Sequence, residues 1–282
     1  MTPDEEHPTG NLSDTTNTPE FEPHPEWAGE MVRKHRSLED VLKPEHIEDY
    51  RKLHSDIWKR LIRLHMTIII LEYIEKFPFH LFVPRNEMVF WTMVDWNFYG
   101  MAIVRAHALV ADTGGDCLTL PRFRNCLTKK WIKPEERESY RDLLKGCKFG
   151  HQIEMIRGRV IEIRNSFEAH RLLDPVTQRP VTGAEVVTLS ELRAMYEAME
   201  NLFDVCSIEA KCLTTLGGYC GEMVGGNPVQ TDIEQLLDLI ARNSHFIRKP
   251  EEPWWPAVRE GMPKQNLDVL NHYRKKFGMN EA

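Results

Sequence analysis

The stretch "PEHIEDYRKLHSDIWKRLIRLHMTIIILEYIEK", residues 44–76, decides the fold class. Ile47, Tyr50, Ile57, Trp58, Leu61, Leu64, Ile68, Leu71 and Ile74 recur at the three-and-four spacing of one helix face. Pro44 suits a first helical position, where its missing N–H would have no intrahelical partner anyway. Phe77-Pro78 stops the run, because the residue before a proline is pushed out of the helical region. Its most apolar part, "MTIIILEYI", is too short to span a bilayer and is flanked by charge, so the segment reads as a core helix.

The same periodicity continues outward. A second helix is expected from about Asn86 to Asp112, through Met88, Trp91, Val94, Phe98, Ala102, Val104 and Leu109, with "DTGGD" as its stop. Thr119-Leu120-Pro121 restarts a short helix. Pro134-Glu135-Glu136 opens a third long helix, its acids at the positive end, which is expected to run unbroken to Asp174-Pro175. "PVTQRPVTGAEVVT" is a loop, and a fourth helix starts at Ser190 and ends at Gly217-Gly218. No internal repeat and no sheet-forming alternation stand out. The expectation is an all-α chain: a four-helix up-and-down bundle with extra short helices and a C-terminal helical and Pro-rich extension. Its parts are an acidic tail at 1–25, a short helix and linker at 26–43, the bundle at 44–220 and the extension at 221–282. That extension holds helices at Thr231–Ser244 and Lys264–Phe277 around "KPEEPWWPAVREGMPK".

Composition narrows the function classes. The net charge of -7 is concentrated at one end. Residues 1–26 hold seven of the 43 acids and no Lys or Arg, so the other 36 acids balance the 36 basic residues. Residues 119–171 carry 13 Lys and Arg against seven Asp and Glu, so a polyanion could bind the body of an acidic chain. A solvated helix face explains that excess as well. Six cysteines without a CxxC pair suit a reducing cytoplasm. Twelve histidines include no HxxxH or HExxH pattern, so neither a metal nor a cofactor is expected. His54 and His65, three turns apart, read as a packed helix face. A mean hydropathy of -0.45 and the lack of an apolar leader argue for a soluble protein without a membrane anchor.

Against this background "IEIRNSFEAHRLLD", residues 161–174, places Arg164, Asn165 and His170 at the end of the third long helix. The bland reading pairs Arg164 with Glu168 on a solvated face. The chemical reading starts from RNA cleavage. A 2′-hydroxyl must lose a proton, a phosphorane gathers negative charge, and the leaving 5′-oxygen needs a proton. Histidine moves protons near neutral pH, and arginine offers a permanent planar fork to phosphate oxygens. Asn165 would position. Arg157, seven residues before Arg164 and so on the same face, and Arg171 would extend the phosphate contact. On a regular helix Arg164 and His170 stand about a third of a turn apart, so they share a phosphate only if the helix bends or a second copy contributes. Arg105, Asp112 and Glu162 read more plainly as capping or ion-pairing residues. Trp254-Trp255 would stack on bases or, more plainly, clamp onto the body.

"RNSFEAH" resembles the R-polar-x(n)-H motif of the HEPN superfamily (higher eukaryotes and prokaryotes nucleotide-binding). In that family the motif ends the third long helix of a four-helix bundle. The segment "VRAHALVADTGGDCLTLPRFRNCL" is similar to the abortive-infection branch, in which a D-turn-L-(S/T)-L segment leads into a short helix. The resemblance covers roughly Pro44 to Gly218. It implies a metal-independent endoribonuclease of antiviral or toxin type, with His170 as acid–base residue, Arg164 as transition-state stabiliser and Asn165 as positioning residue. It also implies RNA as substrate, a homodimer with two motifs lining one cleft, and an antitoxin or defence-system partner. Where one branch carries a Tyr two residues after the His, this chain has Leu172, so silencing by nucleotidylation of that Tyr is not implied. Two other readings stand beside it: a non-catalytic HEPN-like module that binds nucleic acid or nucleotide or dimerises, and a helical interaction protein with a chance motif.

The tail lacks apolar periodicity and cannot offset its own ordering entropy. Deleting residues 1–25 is therefore expected to leave the thermal midpoint nearly unchanged. A loss of several degrees would show that the acidic tail docks on the body.

Overall fold

The computed structural model describes residues 37–85, 87–111, 117–169, 187–208, 223–224, 227–228, 232–248 and 255–280. Its helices are α1 (Leu38–Val41), α2 (Ile47–Lys76), α3 (Phe79–Phe82), α4 (Met88–Val110), α5 (Leu120–Cys126), α6 (Arg137–Gly146), α7 (Phe149–Ala169), α8 (Leu189–Cys206), α9 (Asp232–Asn243), α10 (His245–Arg248), α11 (Trp255–Gly261) and α12 (Lys264–Lys276). The only strands among the described residues are the two-residue pair Met223–Val224 and Asn227–Pro228, so the chain is all-α.

Four long helices share one core. α2 packs against α4 and α8, and α7 packs against the same two, closing a ring. The core seam of α2 is Tyr50, Leu53, Ile57, Leu61, Leu64, Ile68 and Leu71, all buried. It meets Ala102, Ala106 and Leu109 of α4, Ile153, Ile156, Val160 and Ile163 of α7, and Leu192, Met199 and Phe203 of α8. Each fully buried Leu or Ile contributes about 1.5–3 kcal/mol, which is why this seam sets the packing. A second cluster joins the far end of α2, α3 and the start of α4 to the C-terminal helices, through Phe77, Phe79 and Phe82 against Leu237, Ala241, Trp255 and Leu270. Trp255 is buried there beside Phe246, so it clamps the extension onto the body. Trp254 lies outside the described residues.

One relation escaped the sequence reading. "LKPEHIEDY", residues 42–50, and "IKPEERESY", residues 132–140, are a local repeat. Leu42 and Ile132 form an antiparallel bridge, closed by Lys43 N to Trp131 O (2.9 Å) and Lys133 N to Val41 O (3.0 Å). From this clasp each copy enters a 3-10 turn at its proline and then a helix, α2 or α6. Both tyrosines reach the end of α8: the Tyr50 hydroxyl accepts from Ile208 N (2.9 Å), and the Tyr140 hydroxyl donates to Cys206 O (3.0 Å).

The third long helix is not continuous. It breaks between α6 and α7 at Cys147–Lys148, where Lys148 adopts φ 50° in the left-handed region. Gln152 re-satisfies the turn by donating from its side chain to Cys147 O (3.0 Å). The fourth helix ends at Cys206 rather than near Gly217, because Ser207 turns its hydroxyl back onto Phe203 O (2.9 Å). The second helix and the last one fall within two residues of expectation. The tail, the start of the 26–43 linker, the 175–186 loop and the stretch to Asp174 lie outside the described residues. No helix among the described residues is long and apolar enough to cross a membrane.

His54 and His65 are packed residues of α2, as expected. His54 sits among Tyr50, Phe123 and Phe203, its Nε2 3.0 Å from the Ser207 hydroxyl. Ser207 spends its proton on Phe203 O, so the imidazole donates from Nε2. Burial pulls its pKa down to about 4. His65 lies flat on Tyr196 and accepts from Arg193 Nη1 (2.8 Å), while Arg193 also grips Glu72. Burial first, then Arg193, pull His65 down to about 4 against the opposing pull of Glu72. Below an ordinary pKa of about 6.5 the unfolded chain takes up protons that these two folded imidazoles refuse. Stability is therefore expected to fall as pH drops from about 6.5 toward 4, with His54 alone contributing up to about 3 kcal/mol of that loss. Urea melts across this range should show the slope, and His54→Phe should flatten it. An unchanged slope would assign it to other groups.

Candidate functional site

The C-terminal ends of α4 and α7 meet at the expected motif. Arg164, half-buried, donates from Nη1 to His107 Nε2 of α4 at 3.2 Å. Arginine has only donors, so His107 accepts at Nε2 and carries its ring proton on Nδ1. The contact ties the end of α7 to the end of α4.

The surroundings add positive charge. Arg60 reaches the same end of α4, its Nη1 3.4 Å from both Ala108 O and Leu118 O, and so ties α4 to the start of α5. Thr119 caps α5 by accepting from Arg122 N (3.3 Å), and Arg122 returns to Cys117 O (3.2 Å). Arg105 bonds Arg63 O (2.8 Å) and the Thr67 hydroxyl of α2, so it is a strut between α4 and α2. Cations at a helix C-terminus are favoured by the dipole, which explains why this end of α4 tolerates the crowd.

The other expected site residues separate. Asn165 is exposed and points away from the Arg164–His107 contact by the 100° that one helical step imposes. Arg157 lies on the Arg164 face, half-exposed, with Glu154 at 3.6 Å. His170, Arg171 and Asp112 lie outside the described residues, as does the Glu168 side chain. Glu162 is exposed and pairs with Arg159 (3.0 Å). Arg159 is committed to packing: its Nε is 2.5 Å from Glu191 Oε1 and its Nη2 3.1 Å from Oε2, the side chains being 14% and 5% exposed. His107 was not singled out from the sequence, although it sits inside "VRAHALVAD". The signal lay in that segment, but its partner stands 57 residues away. Among the described residues no three His, Cys, Asp or Glu side chains are grouped as metal ligands.

α4 also carries an outward apolar stripe. Val89, Phe90, Met93, Trp96, Met101 and Val104 are exposed, four of them by 60% or more. Val89, Met93, Trp96, Gly100, Val104 and His107 follow one another at three and four residues, so the stripe runs along the helix to the site. A helix apolar on both faces is ordinarily covered on both.

No protein-family model, curated protein or solved structure matches the chain.

The two arginines of α7 should part company in stability. Arg159→Met strands the buried Glu191 carboxylate and is expected to cost about 3 kcal/mol. Arg164→Met removes the bond to His107 and is expected to cost less than about 1 kcal/mol. Urea melts of both decide it. The reverse order would make Arg164 a structural strut.

Proposed function

We propose that the chain is a metal-independent endoribonuclease of HEPN type, of the antiviral-defence or toxin class, acting in the cytoplasm. The observation that carries the reading is the half-buried Arg164 guanidinium, held by neutral His107 at the foot of the Arg164–His170 motif. In this reading a 2′-hydroxyl gives its proton to an imidazole while O2′ bonds to the adjacent phosphorus. Arg164 holds the non-bridging oxygens as negative charge builds there. The P–O5′ bond then breaks and the 5′-oxygen takes a proton. His170 moves protons, Asn165 orients the strand, and His107 is a positioning residue that aims Arg164.

One motif supplies one acid–base histidine, whereas the reaction needs a proton taken and a proton given. A homodimer meets that need, and the α4 stripe supports it. It sets six large exposed apolar residues along one helix, the kind of surface that forms the apolar centre of an interface burying about 800 Å² per partner. Two copies of α4 packed side by side in the same direction would bring both Arg164–His107 contacts to one end. An antiparallel pair centred on the stripe would hold them tens of Å apart. The alternative, a non-catalytic HEPN-like module that binds nucleic acid or nucleotide or dimerises, draws on the same contact as a strut between α4 and α7. An antitoxin or other defence partner would keep the nuclease silent, by a route other than the missing Tyr at Leu172.

Incubation with total RNA in EDTA tests the reading. Wild type should cut. His170→Ala and Arg164→Lys should each lose at least a hundredfold in rate with unchanged melts. Met93→Asp should sediment as a monomer and lose activity with it. Equal cutting by His170→Ala, or a wild-type monomer at tens of micromolar that still cuts, would overturn the mechanism.

A further inference from the structure

A second positively charged feature lies at the other end of α7, away from the motif. The end of α5 and the π turn that follows it (Leu127–Trp131), the last turns of α6, and the elbow into α7 enclose an open cleft of about 530 Å³. Arg124, Lys129, Arg141, Lys145 and Lys148 line it, and no Asp or Glu does so among the described residues. Lys145 pairs with Asp142 at 3.3 Å, both side chains being well exposed. Such a pair is worth little and exchanges readily for a better anion.

The cleft is organised rather than a loose fringe of lysines. Arg124 is half-buried, lies 5.4 Å over the Phe149 ring and bonds the Asn125 side chain (3.0 Å), so its guanidinium is held in one place. Lys148 is turned to this side by the left-handed elbow that breaks the helix. Gly150 lets another group approach, the nearest side-chain atom to the Cβ it lacks being Arg124 Nη1 at 3.8 Å. Five like charges facing one space repel one another, and a bound polyanion removes that cost.

Position gives the cleft its meaning. Gly150, Arg157 and Arg164 stand seven residues apart along α7, a spacing that returns to the same face with about 20° of drift. The fourteen-residue run rises roughly 21 Å, a span that a few nucleotides of extended strand cover. We propose that the cleft is a phosphate subsite that grips the RNA backbone a few nucleotides from the cut. It rests on the ribonuclease reading for the identity of the strand. The chemistry it needs, phosphate oxygens, could also come from a free nucleotide, and the experiment separates the two.

The probe is a fluorescent RNA 12-mer, read by anisotropy over a salt series with full-length protein. Lys129→Glu/Arg141→Glu should bind at least tenfold more weakly than wild type. The slope of log K against log salt should be shallower by roughly 1.4, about 0.7 for each lost single-strand phosphate contact. Lys52→Glu/Lys275→Glu, the same charge change at two exposed positions outside the cleft, should bind as wild type does. The advantage of the 12-mer over a dinucleotide in kcat/KM should shrink in the cleft variant. Weakened binding together with a wild type that cuts no RNA would remove the nuclease reading and keep the cleft. Unchanged affinity and slope in a folded cleft variant would overturn the proposal. So would an ATP complex lost in the variant while RNA binding stays intact.

Discussion

The clasp between Leu42 and Ile132 is the constraint on which the rest of the arrangement depends. Two main-chain hydrogen bonds bring the starts of α2 and α6 together. Each start then sends a tyrosine to the same few residues at the end of α8. Tyr140 illustrates the cost of failure: burial pushes its hydroxyl well above the usual range, so it stays neutral and must find a polar partner. Cys206 O is that partner. Three helices are thereby indexed to one point, and α6 delivers the elbow from which α7 runs back along α4 to place Arg164 beside His107.

Much of this was legible in the sequence, for a definite reason. The seam of α2 and the ends of α4 and α12 follow from apolar spacing and stop residues, which act locally. The break at Cys147–Lys148 was not legible. A lysine in the left-handed region is a tertiary outcome, imposed where α6 must turn so that α7 can pack on α4. The "LKPE" and "IKPE" pair was in view but meaningless until the fold set the two copies side by side. Arg164 was singled out through its motif, and the structure sets it beside His107. His107 was missed because a hydrogen bond across 57 residues leaves no periodic trace. His170 and Arg171 stand outside the described residues, so for them only the motif speaks.

The electrostatic pattern links the candidate site to the proposed strand path. Where an arginine of α7 serves packing, as Arg159 does, two carboxylates neutralise it. Where it faces the end of α4, as Arg164 does, a neutral imidazole holds it. The same helix thus uses Arg159 for packing against α8 and brings Arg164 to His107 at the end of α4. The basic cleft at its opposite end and the apolar stripe on neighbouring α4 are the surfaces on which the two proposed roles, gripping a strand and meeting a second copy, rest.

The central claim is that RNA is cut by its own 2′-hydroxyl at the Arg164 site. A short RNA and the same oligonucleotide with a single 2′-deoxy sugar at the mapped cut would be compared, with mass measurement of the fragment ends. The account predicts 2′,3′-cyclic phosphate and 5′-hydroxyl ends from the RNA, and no cut at the deoxy position. Equal cleavage of both, or fragments ending in a 3′-hydroxyl, would contradict it.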